Sequence, residues 1–241
     1  MRSGINVLLA LMVIVSFLGA IPLHEWAHVI MASWLGDHTP RAEGRQTLSL
    51  RAHIDPVGTL MCVILAFQGY VGLGWGRPVK PDPWKMRVGT DRGVLLVACA
   101  GLLFSLIVGL AMAGIARLLL QVAYITANPL MDRLLQFVLV FACVNIGIAV
   151  LNLLPFYPLD GYQILYALLP SKQAVQFSRS STYGPFIILI LFFFAPFLAS
   201  LANLDWFPLF RLPYYIWLAS ISLASLVMGG DLTLVAQWYL H

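Results

Sequence analysis

The sequence has 241 residues, of which 61% are hydrophobic and only 10% are charged. A mean hydropathy of +0.88 exceeds what a soluble domain of this length needs to build a core. The composition therefore excludes an ordinary soluble enzyme and predicts a polytopic membrane protein. The formal net charge of +4 does not require a nucleic-acid partner, because basic residues beside membrane spans ordinarily reflect topology.

Long apolar runs follow one another along the chain. Most of them approach the roughly 20 residues that a helix needs to cross about 30 Å of hydrocarbon. The runs lie at 5–23, 57–75, 93–125, 134–154, 184–204 and 212–229. They predict an all-α fold in which most elements cross the bilayer.

The first apolar run ends in a cluster of ionisable side chains, in the stretch AIPLHEWAHVIM. His24, Glu25 and His28 form the pattern HExxH. On a helix, residues four apart share a face, so both imidazoles can bind one zinc ion while Glu25 lies beside the open coordination position. A charged side chain inside a span costs about 2.5 kcal/mol or more, so its presence is a functional signal. The alternative, a pair of interfacial histidines, explains neither the glutamate nor the spacing.

A short alternation of apolar and polar residues follows in the stretch QTLSLRAH. Leu48 and Leu50 alternate with polar neighbours, which predicts a small β segment at the membrane surface. Its edge could hold an extended substrate by strand addition, with both leucines in contact with the substrate. An amphipathic surface loop is the alternative that eight residues leave open.

A catalytic zinc site uses three protein ligands and keeps one position open. The best candidate for the third ligand is Asp160, in the stretch NLLPFYPLDGYQIL. Pro155 and Pro158 must break the preceding helix, which leaves the aspartate on a free end from which it could reach a metal. The alternative is that Asp160 is an ordinary N-cap of the helix that follows.

Several motifs, in this order, resemble the site-2 protease family of intramembrane zinc metalloproteases (peptidase M50), in the compact form without PDZ or CBS domains. The resemblance covers roughly residues 20–170. In the segment AGLLFS, Leu102 and Ser105 replace the proline and asparagine of the family pattern AGPxxN. The segments that carry the resemblance are HEWAH, HIDPVGT (53–59), GWGRPVKPDP (74–83), AGLLFS (100–105) and NLLPFYPLDG.

The resemblance implies a role for each matching polar residue. By it, His24, His28 and Asp160 bind one zinc ion. Glu25 is then the catalytic acid/base. Asn152 would hydrogen-bond the substrate backbone or the developing oxyanion, although a polar contact between helices is the alternative interpretation.

The zinc hypothesis requires the first run and the run at 134–154 to end at the same membrane face. This holds if the run at 57–75 is a re-entrant hairpin that dips into the membrane and returns. One face then carries ten of the 14 Lys and Arg residues, as the positive-inside rule demands. The prediction is about five transmembrane helices plus this hairpin, in a multi-pass protein of the bacterial cytoplasmic membrane with its active site toward the cytoplasmic side.

We therefore expect residues 1–170 to form a protease core and residues 171–241 to add two accessory transmembrane helices. The expected function is hydrolysis of a peptide bond in or near the transmembrane segment of a single-span protein, for regulated proteolysis or remnant clearance. The alternatives are a metal transporter, with ionisable groups on several spans, and a non-proteolytic zinc scaffold, which has no use for Glu25. A protease of the prenyl-protein-processing kind would need a downstream glutamate ligand, whereas the sequence has only Glu43 besides Glu25.

Overall fold

The computed structural model describes residues 6–202 and 207–240. Those residues contain twelve α-helices and no β-sheet. In chain order the helices are α1 (Val7–Leu35), α2 (Thr39–Ala42), α3 (Leu50–His53), α4 (Pro56–Phe67), α5 (Thr90–Thr126), α6 (Pro129–Leu151), α7 (Asp160–Leu168), α8 (Ser171–Ser178), α9 (Gly184–Leu189), α10 (Ala195–Ala202), α11 (Leu212–Met228) and α12 (Leu232–Leu240). Short 3-10 helices lie at Pro83–Lys85, Arg179–Thr182 and Pro208–Arg211, and a π-helical segment lies at Ile190–Phe194.

Four helices among the described residues are long and apolar enough to cross a membrane. They are α1, nearly all of α5, α6, and the segment Pro208–Met228 that contains α11. A fifth span arises if Ser171–Thr182 and Gly184–Ala199, which are bent by 66°, act as one. The structure therefore confirms the predicted all-α membrane fold, with four or five candidate spans where the sequence predicted about five.

The first helix is closed at both ends by local hydrogen bonding. The side-chain oxygen of Asn6 accepts a hydrogen bond from the backbone N–H of Leu9 at 3.0 Å, which satisfies one free donor of the first turn. Gly36, at φ +105°, ends α1 in the left-handed conformation that glycine adopts without strain. The buried face of α1 extends into its last turns and includes His24 and His28. The helix itself therefore brings polar side chains into the interior.

Helices α5 and α6 form an antiparallel hairpin because only two residues separate them. Ala127 ends α5 in a left-handed conformation, and Asn128 begins α6 by accepting a hydrogen bond from the backbone N–H of Leu130 at 2.9 Å. At its other end, α5 starts beside the end of α1, where the N–H of Arg87 donates to the carbonyl of Leu35 at 2.8 Å. Consequently α1 and α6 run in the same direction, and their last turns lie at one end of the bundle.

The segment 54–76 leaves this end of the bundle and returns to it. Helix α4 has 12 residues, or about 18 Å of helix, which is too short to cross the hydrocarbon core. Ile54 and Gly76 form an isolated antiparallel bridge. Next to it, the N–H of Arg77 donates to the carbonyl of His53 at 2.7 Å. The chain therefore returns to its starting point, as the predicted hairpin requires; its depth in a membrane stays a prediction.

The predicted β segment at Leu48 and Leu50 is wrong. Leu50 begins the short helix α3, and no residue from Thr47 to Leu50 takes part in strand pairing. The physical reason is local: the His53 side chain hydrogen-bonds the carbonyl oxygen of Thr47 at 2.6 Å. This contact curls the segment and occupies a backbone acceptor that a strand would offer to its neighbour.

The C-terminal part packs into the same apolar core as the N-terminal part. Ile216, Ile221 and Ala224 of α11 belong to the cluster that also contains the buried residues of α1 and α6. Helix α12, which the sequence analysis did not predict, adds Val235 to this cluster. The division into a core at 1–170 and an accessory part at 171–241 stays a prediction of the sequence.

Candidate metal centre

The HExxH side chains, in the second half of α1, are almost completely buried. His24 is 2% exposed, Glu25 5% and His28 4%. The two imidazole rings are edge to face at 4.8 Å between centroids, and their Nε2 atoms are 3.2 Å apart. The four-residue spacing therefore directs both Nε2 atoms at one point, as the helical geometry predicts.

Asp160 reaches the same point from the segment that follows the C-terminal end of α6. After α6 ends, the chain turns back on itself, and the backbone N–H of Gly161 donates to the carbonyl of Asn152 at 2.6 Å. This places Asp160 Oδ2 3.1 Å from His24 Nε2, and Asp160 Oδ1 3.2 Å from His28 Nε2. One ligand atom from each of the three side chains lies within 4.8 Å of the others. Residues separated by more than 130 positions in the chain thus converge.

The hydrogen bonds behind the histidines favour metal binding. His28 Nδ1 lies 2.7 Å from the carbonyl oxygen of Val97. Since a carbonyl only accepts, Nδ1 carries the proton and Nε2 keeps its lone pair for a metal. His24 Nδ1 lies 3.0 Å from Ser105 Oγ, which can hold His24 in the same tautomer. Two such imidazoles and one carboxylate are the three protein ligands of an open zinc site, so a zinc ion fits this donor set.

The backbone of α5 approaches the donors at Gly101. A Cβ atom at this position would lie 2.3 Å from both Nε2 and Cε1 of His28, and 3.0 Å from Cε1 of His24. Such distances are far below van der Waals contact, so only glycine leaves the imidazoles in their present orientation. Gly101 is therefore part of the centre although it offers no ligand atom.

Glu25 has neighbours from two segments that follow α1. A Cβ atom at Gly76 would lie 2.6 Å from Glu25 Oε1. The Nη2 atom of Arg45 is 3.8 Å from Glu25 Oε2. Burial lowers the pKa of the Arg45 guanidinium, and the neighbouring Glu25 carboxylate opposes that shift.

The cleft over the donors is small. Its volume is about 30 Å³, which is about the share of one water molecule in the liquid. Five of its lining residues belong to the stretch that follows the hairpin, residues 75–81 (the covering stretch): Trp75, Gly76, Pro78, Val79 and Pro81. The cleft must therefore widen before a peptide can reach the centre.

The far end of the covering stretch is anchored to the loop after α1. Asp37 accepts hydrogen bonds from the backbone N–H of Asp82 at 2.7 Å and of Thr39 at 2.9 Å. Burial alone would raise the pKa of the Asp37 carboxyl. The hydrogen bonds from Thr39 and Asp82, together with Lys85, lower this pKa by more than burial raises it, so the pKa lies below its ordinary value. The anchor therefore holds in the ionised state.

Asn152 lies in the wall of the cleft, at the end of α6. Its Nδ2 donates to the carbonyl of Ile148 at 2.9 Å, and its Oδ1 is 3.4 Å from the backbone N of Asp160. Both polar atoms therefore face other parts of the protein in this conformation. A contact with substrate stays a prediction for Asn152.

Leu48 and Leu50 lie outside the cleft. They line a groove of about 500 Å³ on the outer side of α1. The other residues of this groove are Val15, Leu18, Gly19, Pro22 and Leu23. The structure thus brings together His24, Glu25, His28, Asp160 and Asn152, and leaves the two leucines on a separate apolar surface.

Sequence reasoning missed Arg45, Gly76 and Gly101. Gly101 lies inside the motif AGLLFS, which was a usable signal. Arg45 carried no signal, because an arginine in a polar loop is usually exposed, whereas Arg45 is only 6% exposed. Ser105 was noted as a departure from the family pattern, but its contact with His24 could not be read from the chain.

Comparison with known proteins gives the family. The model of peptidase family M50 matches residues 120–195. The chain is 34% identical over 186 residues to "Putative zinc metalloprotease YwhC" of Bacillus subtilis, which covers 76% of this chain and 79% of that protein. It is 30% identical over 182 residues to "Putative zinc metalloprotease Rip2" of Mycobacterium tuberculosis, covering 75% of this chain and 66% of that protein.

A third relative extends the similarity over most of the chain. "Putative zinc metalloprotease Rip2" of Mycolicibacterium smegmatis is 25% identical over 225 residues, covering 92% of this chain and 80% of that protein. No solved structure matches the chain. The apolar helices and the similarity to these zinc metalloproteases lead to one conclusion: the chain belongs to peptidase family M50, the site-2 protease family, and is a multi-pass membrane zinc metalloprotease.

Proposed function

We propose that this metalloprotease is an intramembrane endopeptidase, which hydrolyses a peptide bond in or near the transmembrane segment of a membrane-protein substrate. The observation that carries the proposal is the convergence of Asp160 with His24 and His28, which lie beside Glu25 on a helix long enough to span the membrane. A buried donor set inside a span serves chemistry at that depth, since ionisable groups there are otherwise costly.

In the proposed mechanism, His24, His28 and Asp160 would hold one zinc ion. When bound, zinc acts as a Lewis acid, which lowers the pKa of a coordinated water from 15.7 to about 7 and polarises a carbonyl. The side chains behind the ligands keep the imidazoles oriented: the carbonyl of Val97 fixes the tautomer of His28, and Ser105 holds His24.

Glu25 is the proposed acid/base. It takes the proton of the attacking water and then donates it to the amine that leaves the scissile peptide bond. The position of its carboxylate, next to the histidines and lining the same cleft as His28 and Asp160, suits both transfers. Asn152 is proposed to contact the substrate backbone after the covering stretch moves, when its partners can change.

A transmembrane substrate must also unwind, because the carbonyls of a helix are occupied by its own hydrogen bonds. The groove on the outer side of α1 could receive the apolar side chains of a single-span substrate before this happens. Leu48 and Leu50, which are 57% and 39% exposed, lie at that groove without being part of the chemistry.

The proposed orientation follows from the basic loops. The loops at 36–53 and 77–92 lie at the end of the bundle that also holds the centre, and the positive-inside rule places such loops in the cytoplasm. We therefore place the centre toward the cytoplasmic side of the bacterial cytoplasmic membrane. Maleimide labelling of single cysteines introduced as Arg41→Cys and Lys80→Cys, in inside-out and right-side-out vesicles, tests this; labelling from opposite sides would contradict it.

A transporter is less consistent with the structure. It would need ionisable groups along several spans. Within residues 6–202 and 207–240, His24, His28 and Asp160 form the only group of three or more such side chains that could share a metal. A purely structural zinc has no use for an adjacent glutamate and usually fills all four ligand positions.

The test uses purified full-length protein in liposomes and a panel of fluorescent reporters, each with one transmembrane helix. Wild type is expected to bind zinc and to cleave at least one reporter. Glu25→Gln should keep its zinc and lose cleavage about 1,000-fold or more, because the base is gone while the ligands remain. Glu43→Gln, at an exposed position, is the matched control and should behave as wild type. Cleavage by Glu25→Gln at the wild-type rate would refute the proposed mechanism.

A further inference from the structure

Arg45 is an unusual residue for its place in the chain. It belongs to the polar loop between α2 and α3, yet it is only 6% exposed. Arginine is rarely buried to this extent unless it pairs with other polar groups. The other two arginines of this loop region, Arg41 and Arg51, are exposed. Something specific therefore holds the Arg45 side chain inside.

Two acceptors surround the Arg45 guanidinium. Its Nη2 donates to the backbone carbonyl oxygen of Arg77, immediately after the hairpin returns. The same atom lies 3.8 Å from Glu25 Oε2, which is an ion-pair distance rather than a hydrogen bond. Among the described residues, Glu25 Oε2 has no hydrogen-bond partner. Arg45 is thus the cation that faces the Glu25 carboxylate.

Two neighbours restrict the carboxylate of Glu25. The backbone at Gly76 limits the movement of Oε1, since even a Cβ atom there would lie 2.6 Å from it. Arg45 Nη2 lies 3.8 Å from the other oxygen, Oε2. We propose that Arg45 is a positioning residue for Glu25: its guanidinium ties the carboxylate to the covering stretch and keeps it aimed at the reacting water.

This proposal rests on the proposed function of Glu25 as acid/base. An arginine suits the task because its planar fork can serve two acceptors at once, whereas lysine presents a single point charge. The role matters because a proton-transfer group that is misplaced by about 1 Å can cost about 100-fold in rate. Arg45 is not a metal ligand and touches none of the three donors, so its removal should leave zinc binding intact.

The experiment compares full-length wild type, Arg45→Ala and Arg45→Lys in liposomes, with the reporter that wild type cleaves. Arg45→Ala should lower kcat about 100-fold and change KM by less than about threefold. Its zinc content should equal that of wild type. Arg45→Lys should recover part of the rate, and millimolar guanidinium should raise the rate of Arg45→Ala but not of Glu25→Gln. Arg41→Ala and Arg51→Ala are the matched controls and should keep the wild-type rate.

Each other outcome overturns the proposal. A wild-type or higher kcat in Arg45→Ala would show that the contact does not support Glu25. Loss of zinc together with activity would make Arg45 a structural anchor only, as would failure of both lysine and guanidinium to restore any rate. If Glu25→Gln cleaves normally, or wild type cleaves no reporter, the proposed function itself fails.

Discussion

The two ends of α6 both carry polar side chains, yet they differ in what those side chains do. At the first turns of α6, Asp132, Arg133 and Gln136 line a cavity of about 360 Å³. Gln237 and Trp238 of α12 also line this cavity. At the last turns, the cavity over the metal donors is only about 30 Å³.

The larger cavity holds a mixed set of groups without convergent donors. Arg133 Nη1 donates to Gln136 Oε1 at 2.9 Å, whereas Gln136 Nε2 has no hydrogen-bond partner among the described residues. At the other end, three donors from α1 and α7 face a single point with their lone pairs. Convergent donors, and not cavity size, therefore mark the end of the molecule that we propose to be reactive.

The largest expected effect comes from removing one acid at each end. Asp160→Ala should lose bound zinc and therefore all measurable cleavage, because two ligands rarely retain a catalytic zinc. Asp132→Ala should keep its bound zinc and its cleavage activity, since Asp132 lines the larger cavity at the first turns of α6. Zinc content by atomic emission and reporter cleavage check the pair. Zinc loss of equal size in both variants would erase the distinction between the two ends.

The next effect concerns two glycines of α5. Gly101→Ala should lower zinc content and activity at least about tenfold, because the added methyl would overlap the His28 imidazole and displace a ligand. Gly114→Ala is the control: its Cβ would meet one side-chain atom at 3.9 Å, and alanine favours helix. Its unfolding temperature should equal or exceed that of wild type. A zinc-loaded, active Gly101→Ala protein would contradict the tight approach of α5 to the donors.

Ser105 sharpens the comparison further, because it acts through His24 alone. Ser105→Ala should weaken zinc affinity about 10- to 100-fold, the usual cost of losing a hydrogen bond behind a ligating histidine. Ser220→Ala removes an equally buried hydroxyl that donates to the carbonyl of Ile216 at 2.7 Å, and it should leave zinc affinity unchanged. Competition with a chelator measures both affinities. An unchanged affinity in Ser105→Ala would mean that Val97 and packing suffice to orient the histidines.

Much of this centre could be predicted because its signals are local. The helical spacing of His24 and His28 and the proline-broken approach to Asp160 are visible in short stretches of sequence. The apolar runs likewise predict α1, α5 and α6. Helix α12 was missed because its nine residues form too short a run to stand out.

Other features depend on contacts between distant segments, which no local pattern reveals. The alternation at Leu48 and Leu50 was misread because His53 folds back on Thr47, so the strand never forms. Arg45, which faces Glu25, donates to the carbonyl of Arg77 beyond the hairpin, a contact that no local pattern indicates. Prediction failed where the conformation of a loop, rather than the periodicity of a helix, decides which side chains meet.

The smallest effect is expected on the outer side of α1, away from both ends of α6. Leu48→Ser should raise KM for the reporter about 3- to 10-fold, because a partly exposed leucine can contribute about 1 kcal/mol of apolar contact to a docked helix. Zinc content and kcat should not change, since the groove lies outside the cleft. Leu130→Ser, at an exposed position 78% open to solvent at the far end of α6, is the control and should leave KM unchanged. If both substitutions raise KM equally, the effect belongs to general membrane affinity, and the groove has no special part in holding substrate.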